Sequence, residues 1–254
     1  MKRELRDAVF LLGDCLERLP EIPDQSVDLI LADLPYGTTR SKWDSVIPLE
    51  PLWREYLRVC RGAIVLTAQT PFDKVLGASN LSMLRYEWIW EKSHPTGHLN
   101  AKRAPMKAHE NVLVFSRRQA TYNPIKTSGH VRKSAVKRAD TSPVYGAQTF
   151  APLSYDSTER YPRSVLRFPS DKQRSNLHPA QKPLALMEYM VKTYSDPEQT
   201  VLDNCFGSAT TALACIANGR RFIGIEKDPI YFEMGFQRAA TQAAPAAAST
   251  KESA

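Results

Sequence analysis

The stretch Val27-Asp-Leu-Ile-Leu-Ala-Asp-Leu-Pro-Tyr-Gly37 decides the fold. Its first seven residues form a short apolar run that is rich in strand-forming side chains, and the turn residues 34–37 close it. Runs of this kind are typical of strands that are buried on both faces of a parallel sheet. Because ligands bind at the carboxyl ends of such strands, we expect a functional site directly after Asp33.

Outward from this strand, apolar runs alternate with segments of helical periodicity. Five more strands are predicted, at residues 63–67, 86–90, 111–115, 201–204 and 222–226. Helices are predicted at residues 49–58, 184–194 and 210–217. This alternation predicts an α/β fold with a mostly parallel central sheet that helices flank.

The pattern breaks down between residues 117 and 169, which predicts an insertion. The first part of the insertion is basic and contains no acidic residue up to position 138; its basic residues are Arg117, Arg118, Lys126, Arg132, Lys133, Lys137 and Arg138. A solvated loop is one interpretation, and nucleic-acid contact is the interpretation that the charge favours. The Ala-rich tail 239–254 is predicted to be disordered.

Composition narrows the class of protein. The chain has 254 residues, of which 43% are hydrophobic, enough for one large domain or two small ones, and a formal net charge of +7 that favours a polyanionic partner. The four cysteines form no C-x-x-C pair, and His94 and His98 lack a second ligand cluster, so we expect neither disulfides nor a metal. No window is apolar for long enough to span a bilayer, and we expect a cytoplasmic protein.

The segment Asp33-Leu-Pro-Tyr36 combines a carboxylate, a rigid backbone and an aromatic ring at the end of a buried strand. These groups suit a flat base that carries an amino group. Asp33 and a backbone carbonyl next to Pro35 can accept hydrogen bonds from the amino group, and Tyr36 can stack on the ring. The alternative is an ordinary turn that contains proline.

The second candidate site is Val201-Leu-Asp-Asn-Cys-Phe-Gly-Ser-Ala-Thr-Thr211, a predicted strand followed by a turn of small residues that opens a helix. About twenty residues later the next strand ends at Glu226, where a carboxylate can bind the two hydroxyls of a ribose. The turn lacks the spacing for a dinucleotide or a triphosphate, so an adenosine without phosphates fits better. The segment His178-Pro-Ala-Gln-Lys-Pro183 can hold Lys182 against a carboxylate, although it can also be an ordered loop.

Taken in this order, the three motifs resemble the amino-methyltransferases of DNA in their permuted β arrangement, in which the catalytic motif precedes the cofactor motif. The segment Asp33-Leu-Pro-Tyr36 looks like the D-P-P-Y motif of that family, and residues 178–183 look like its H-P-x-Q-K-P loop. Residues 203–211 look like its D-P-F-x-G-S-G-T-T turn. The resemblance covers residues 10–240 and implies a Rossmann-like methyltransferase fold.

The resemblance also implies roles for individual residues. Catalysis falls to Asp33, Pro35 and Tyr36. Binding of S-adenosylmethionine falls to Asp14, Asp33, His178, Gln181, Lys182, Asp203, Phe206, Gly207, Ser208, Thr210 and Glu226. The chain is divided into a catalytic half (1–116), a target-recognition insertion (117–169), a cofactor-binding half (170–238) and the tail (239–254).

The resemblance further implies a double-stranded DNA substrate and leaves a homodimer open. Leu34 replaces the first proline of the catalytic motif, where only a backbone carbonyl is needed. Ala209 replaces a glycine of the cofactor turn, so a positive φ at this position would weaken cofactor binding.

The expected reaction is methylation of N6 of adenine, because Asp at the first motif position usually accompanies adenine in this family. Methylation of N4 of cytosine is the nearest alternative. An RNA or protein amide substrate, and a non-catalytic DNA-binding subunit, are the others.

Overall fold

The computed structural model describes residues 1–39, 41, 44–136, 141–142, 146–147, 154–169 and 181–244. The chain forms two compact units. The larger unit comprises residues 1–123 and 164–254, and the smaller unit comprises residues 124–163. The site of interest lies in the larger unit.

Thirteen strands and six helices are found among the described residues. The strands are β1 (Lys2–Leu5), β2 (Ala8–Leu12), β3 (Val27–Asp33), β4 (Cys60–Ala68), β5 (Leu84–Thr96), β6 (Lys107–Phe115), β7 (Lys133–Val136), β8 (Thr141–Ser142), β9 (Gly146–Ala147), β10 (Ser154–Ser157), β11 (Val165–Phe168), β12 (Thr200–Asp203) and β13 (Arg221–Glu226). The helices are α1 (Cys15–Arg18), α2 (Leu49–Val59), α3 (Phe72–Ser79), α4 (Leu184–Tyr194), α5 (Thr210–Ala217) and α6 (Pro229–Ala243). Short 3₁₀ turns span Leu19–Glu21 and His98–Asn100.

Nine strands of the larger unit form one sheet in the order β1-β2-β13-β12-β3-β4-β6-β5-β11. The five strands from β2 to β4 are parallel, whereas β1 and β6 are antiparallel to their neighbours. From β3 the chain moves outward to β4, and from β12 it moves in the opposite direction to β13. The boundary between β3 and β12 is therefore a topological switch point, where open α/β sheets bind their ligands.

Helices cover both faces of the sheet, as the sequence predicts. On one face, α4, α5 and α6 pack through side chains such as Met190, Leu213 and Phe232. On the other face, α2 and α3 pack through Leu52, Tyr56 and Leu76. Strand β3 is buried along its whole length except at Asp33, which explains its continuous apolar pattern. The predicted α/β fold with a mostly parallel sheet is thus confirmed.

The structure corrects the expectation for the start of the tail. Helix α6 extends to Ala243, so residues 239–243 are helical rather than disordered. Alanine is the strongest helix former, and Ala239 and Ala243 bury their side chains, which favours continuation of the helix. Residues 245–254 lie outside the described part of the chain.

The smaller unit contains two short antiparallel pairs, β7 with β10 and β8 with β9. Ion pairs link Lys126 to Glu159 at 3.0 Å and Arg132 to Asp156 at 2.6 Å. Strand β11 follows this unit and pairs in parallel with β5 of the large sheet. Among the described helices of the chain, none is both long and apolar enough to cross a membrane.

Candidate functional site

A cavity of about 810 Å³ lies at the carboxyl ends of the parallel strands. Its wall is built from segments that follow β2, β3, β12 and β13, which are neighbours in the sheet. Lys92 of β5 and Glu110 of β6 also line it. The cavity therefore spans the topological switch point.

Asp33 is the centre of the polar contacts on the β3 side of the cavity. Its Oδ1 accepts hydrogen bonds from the Tyr36 hydroxyl at 2.7 Å and from the Thr67 hydroxyl. Its Oδ2 accepts from Lys182 Nζ at 2.6 Å. A carboxylate offers about four acceptor positions, so these three donors leave room for one more.

Lys182 is buried between two carboxylates. Besides Asp33, it contacts Glu110 Oε2 at 3.2 Å, and Glu110 Oε1 accepts from Lys92 Nζ at 2.7 Å. Burial alone would lower the pKa of Lys182, but Asp33 and Glu110 raise it well above its ordinary value. Burial opposes ionisation of Glu110, yet Lys182 and Lys92 lower its pKa to about 2. We call Asp33, Lys92, Glu110 and Lys182 the charge cluster. Its two carboxylates and two ammonium groups compensate one another.

Tyr36 is held by its ring and by its hydroxyl. The ring stacks on Phe72, with centroids 5.5 Å apart and an interplanar angle of 24°, and Lys182 Nζ lies 5.4 Å from the ring centroid. Burial and the nearby Asp33 raise the pKa of the Tyr36 hydroxyl well above its ordinary value, so this group stays a donor.

The loop after β3 is fixed by a buried carboxylate that the sequence reading missed. Asp44 Oδ1 accepts from the backbone N–H groups of Tyr36 and Gly37 at 2.8 and 2.9 Å. Its Oδ2 accepts from those of Thr38 and Thr39 at 2.9 and 2.6 Å. Four consecutive donors therefore point at one side chain, which sets the path of the backbone after the segment 33–36.

On the other side of the switch point, the buried carboxylate Asp203 and the partly buried carboxylate Glu226 border the small-residue turn. Glu226 accepts from the N–H groups of Gly207 at 2.9 Å and Asp228 at 2.8 Å, and burial raises its pKa. Asp203 accepts from the N–H of Cys205 at 3.1 Å, and burial raises its pKa to about 7. Both groups would be stabilised as anions by a cation in the cavity.

Asp14 supplies a third carboxylate from the segment after β2. It caps α1 by accepting from the N–H of Leu16 at 2.9 Å, and its other oxygen accepts from Lys227 at 2.9 Å. Gly13, whose N–H donates to the Glu226 carbonyl at 2.9 Å, adopts φ 146°. The two segments thus bring the ends of β2 and β13 together at the cavity.

Helix α5 begins directly from a left-handed residue. Ala209 has φ 58° and ψ 31°, and its side chain is fully buried. Left-handed backbone is costly for any residue with a Cβ atom. Residue 209, where the family's turn has glycine, therefore has the positive φ that the sequence analysis considered. The turn adopts this conformation with alanine.

The structure brings twelve of the thirteen predicted catalytic and cofactor residues to the wall of this cavity. The thirteenth, His178, lies outside the described residues. Lys92 and Thr67 were not predicted because they are far in sequence from the motifs. Asp44 was not predicted because it carries no local pattern, although it follows residues 33–37 closely in sequence.

The predicted nucleic-acid residues are distributed between the units. Arg117 and Arg118 belong to the larger unit, and Arg117 donates to the Leu57 carbonyl at 2.7 Å. Lys126, Arg132 and Lys133 belong to the smaller unit, and the first two form the ion pairs given above. Lys137 and Arg138 are not among the described residues.

The donor set fits the expected cofactor chemically. The cavity offers the carboxylates Asp14, Asp203 and Glu226 to hydroxyl or cationic groups, and the small residues of the turn 206–209 allow close approach to the backbone. In the part of the chain that is described, no group of three or more His, Cys, Asp or Glu residues is arranged to hold a metal ion.

Comparisons with known proteins agree with this geometry. A model of the N6/N4 DNA methylase family matches residues 27–237. The chain is 30% identical over 244 residues to the DNA adenine methyltransferase YhdJ of Escherichia coli strain K12. The matched region covers 89% of this chain and 80% of YhdJ. It is 26% identical over 272 residues to the type II methyltransferase M.HinfI of Haemophilus influenzae, covering 94% of this chain and 70% of that protein.

Solved structures share the fold. The M1.HpyAVI–SAM complex superposes with a TM-score of 0.60 at 22% identity, covering 90% of this chain and 97% of that one. The PvuII DNA methyltransferase, which is cytosine-N4-specific, gives a TM-score of 0.62 at 17% identity and covers 91% and 86% of the two chains. At these identities the likeness shows the fold alone.

Proposed function

The chain belongs to the N6/N4 DNA methylase family, and from this premise we propose that it transfers a methyl group from S-adenosylmethionine to N6 of adenine in double-stranded DNA. The activity of the family is methylation of an exocyclic amino group of DNA. The choice of adenine, the roles of single residues and extrusion of the base are the parts that we add.

The observation that carries the proposal is the continuity of one cavity across the switch point. Asp33 and Tyr36 lie on the β3 side, and Asp203, Gly207 and Glu226 lie on the β12 and β13 side. A methyl donor and a flat acceptor base can therefore be held next to each other in this cavity. Orientation of this kind is the main requirement of a direct transfer.

Asp14, Asp203 and Glu226 are the residues that would hold the cofactor, with the backbone of the turn 206–209 beneath it. When it is bound, S-adenosylmethionine supplies a methyl group on a positively charged sulfonium. Asp203 and Glu226 would be ionised in its presence, and their negative charge would favour the cation over neutral adenosine analogues.

On the base side, Asp33 accepts a hydrogen bond from the amino group in its remaining acceptor position. Lys182, Tyr36 and Thr67 keep the carboxylate in place while positive charge develops on the amino nitrogen. The Tyr36 ring, backed by Phe72, provides a face for the base.

Two further observations support adenine. Asp33 stands at the first position of the catalytic motif, and YhdJ, the relative at 30% identity, is a DNA adenine methyltransferase.

Because the amino group is paired within a duplex, the base must leave the stack, at a cost of a few kcal/mol. We propose that the smaller unit contributes target recognition and that the basic residues 117–138 contact phosphates. The exposed ion pairs of Lys126 and Arg132 are weak enough for phosphates to replace.

The test is modified-base sequencing of DNA from cells that express the protein, beside Asp33→Ala and the exposed control Asp7→Ala. We expect N6-methyladenine at one sequence motif with the wild type and with Asp7→Ala, and none with Asp33→Ala. Detection of N4-methylcytosine instead would identify cytosine as the target base. Undiminished methylation by Asp33→Ala would contradict the mechanism.

A further inference from the structure

The hairpin tip formed by the end of β5 and its connection to β6 (residues 93–106) stands beside the cavity, and none of its residues has been given a role above. His94 and Thr96, at its start, line the cavity wall. The tip rises from the carboxyl edge of the sheet, because β5 runs parallel to the central strands and ends at Thr96. A duplex whose base enters the cavity must pass close to this tip.

The tip presents an apolar side chain that nothing in the fold explains. Leu99 is 89% exposed, the largest exposure among the large hydrophobic side chains of the described residues. An isolated exposed leucine is ordinary on a protein surface, so its exposure alone decides nothing. Its position at the apex, next to a cavity that accepts a base, distinguishes it from the others.

The charge around Leu99 is entirely positive or neutral. The tip contains His94, His98, Lys102 and Arg103, and no acidic residue occurs from Lys92 to His109. Every residue from His94 to His109 is exposed. A basic surface of this kind attracts phosphates on both sides of an inserted side chain.

The tip is also ordered, so that Leu99 has a defined direction. Gly97 adopts φ 91°, a left-handed conformation that favours glycine, and starts the 3₁₀ turn His98–Asn100. Asn100 accepts from the N–H groups of Arg103 at 2.8 Å and Ala104 at 3.0 Å. Below the turn, Lys107 Nζ donates to Gln69 Oε1 at 3.0 Å. A preformed turn inserts a side chain without an added ordering cost.

We infer that the β5–β6 tip docks on the DNA duplex and that Leu99 inserts into the base stack, where it fills the space that the extruded target base leaves. The inference rests on the proposed function and adds a surface and a residue to it. Leucine is one of the apolar side chains that wedge between base steps, and Lys102 and Arg103 supply the phosphate contacts.

The experiment compares Leu99→Ala with Leu99→Met, which keeps an apolar wedge, and with Leu81→Ala, a control at an exposed leucine before the start of β5. The substrate is an oligonucleotide duplex with the motif found by sequencing, and a second duplex has an abasic position opposite the target base. We expect Leu99→Ala to lower kcat/KM on the paired duplex about tenfold or more, as loss of a buried leucine contact implies. Its rate on the abasic duplex should equal that of the wild type, because extrusion there costs little.

A second readout is the fluorescence of 2-aminopurine at the target position, which rises when the base leaves the stack. Leu99→Ala should reduce this rise, whereas Leu99→Met and Leu81→Ala should preserve it. Wild-type speed of Leu99→Ala on the paired duplex would overturn the inference, and so would an equal loss on both duplexes. Wild-type activity itself tests the proposed function, so a slow variant beside an active wild type bears on Leu99 alone.

Discussion

At the scale of single residues, the charge cluster explains how four ionised groups tolerate a largely buried position. Lys182 contacts Asp33 and Glu110, and Lys92 contacts Glu110, so each charge has a partner of opposite sign. A buried pair of this kind adds little net stability by itself, but removal of one partner leaves an uncompensated charge. Glu110 thus provides the carboxylate partner of Lys92 and a second carboxylate for Lys182.

Glu110→Gln should therefore destabilise the protein by about 3 kcal/mol, because Lys92 would lose the carboxylate that it contacts and Lys182 would keep Asp33 alone. The pKa of Glu110 is about 2 in the fold and 4.5 ordinarily, so its contribution is present above pH 4.5 and is lost as the pH falls towards 2. Urea unfolding at several pH values measures both effects. Glu91→Gln, an exposed change on the neighbouring strand, is the control, and equal stability of the two variants would contradict this account.

The raised pKa of Asp203 predicts how cofactor affinity depends on pH. A cation favours the ionised carboxylate, so binding must remove a proton below pH 7. The Kd for S-adenosylmethionine should rise by up to about tenfold per pH unit below 7 and level off above it. Calorimetry between pH 5.5 and 8.5 measures this. In Asp203→Asn the dependence should flatten, with Glu226 providing the remainder; an unchanged slope would contradict the prediction.

The sequence was informative about residues that lie in continuous motifs. Asp33, Tyr36 and Asp203 each follow a buried strand, and the parallel sheet necessarily brings such strand ends together. Lys92 and Thr67 could not be found in this way, because they reach Asp33 and Glu110 through the pairing of β3 with β4 and of β5 with β6. That pairing has no local signature in the sequence.

At the scale of elements, the turn 206–209 is held from above by α6. Gly235 lies so close that a Cβ atom there would meet the Gly207 carbonyl oxygen and Phe206 Cε2, both at 2.8 Å, and Ala209 Cβ at 3.1 Å. The absence of a side chain in the middle of a helix therefore lets α6 pack on the turn 206–209. This contact encloses the methyl group of Ala209.

Gly235→Ala should push α6 away from the turn, because the nearest atom is a backbone oxygen that cannot rotate aside. We expect a loss of about 1–3 kcal/mol in unfolding free energy and weaker binding of S-adenosylmethionine. Gly77→Ala in α3 is the matched control, since its Cβ atom would meet Leu84 at an ordinary 3.6 Å. The control should gain up to about 1 kcal/mol from helix propensity. Similar changes in thermal unfolding for both variants would refute the contact.

Elements with strong patterns were predicted well, and short or mixed ones were not. All six predicted strands and three predicted helices are present, and the bounds of β3, α4 and α5 agree with the prediction. Strands β1 and β2 were missed because charged residues flank a very short apolar run. Helices α3 and α6 were missed as well, although α6 has 15 residues, so length alone does not separate the predicted helices from the missed ones. Strand β5 is longer than predicted, since its second half is polar and exposed.

At the scale of the whole molecule, the two units divide the proposed tasks. The apolar clusters of the larger unit are built from residues 5–120 and 166–239. The smaller unit has its own strand pairs and ion pairs. The sequence interval 117–169 contains this unit, and recognition of a target by it remains our proposal.

Replacement of residues 124–163 by a flexible Gly/Ser linker should therefore leave the cofactor site intact. We expect an unchanged Kd for S-adenosylmethionine, measured by calorimetry, and loss of methylation at the recognition motif, measured by sequencing. The full-length chain is the control for both measurements. Motif-specific methylation by the shortened protein would assign target recognition to the larger unit instead.

Strand β13 pairs with β2 on one side and with β12 on the other. Its partner residues Ala8–Leu12 are synthesised more than two hundred residues earlier, which at ribosomal speed means a delay of roughly ten seconds or more. Throughout that delay β2 has β1 on one edge and open backbone N–H and C=O groups on the other. An open edge is a template for pairing with another nascent chain. The yield of native protein in a cell should then depend on the rate of translation, because slower elongation lengthens the time for which the edge of β2 is open and so favours aggregation of incomplete chains.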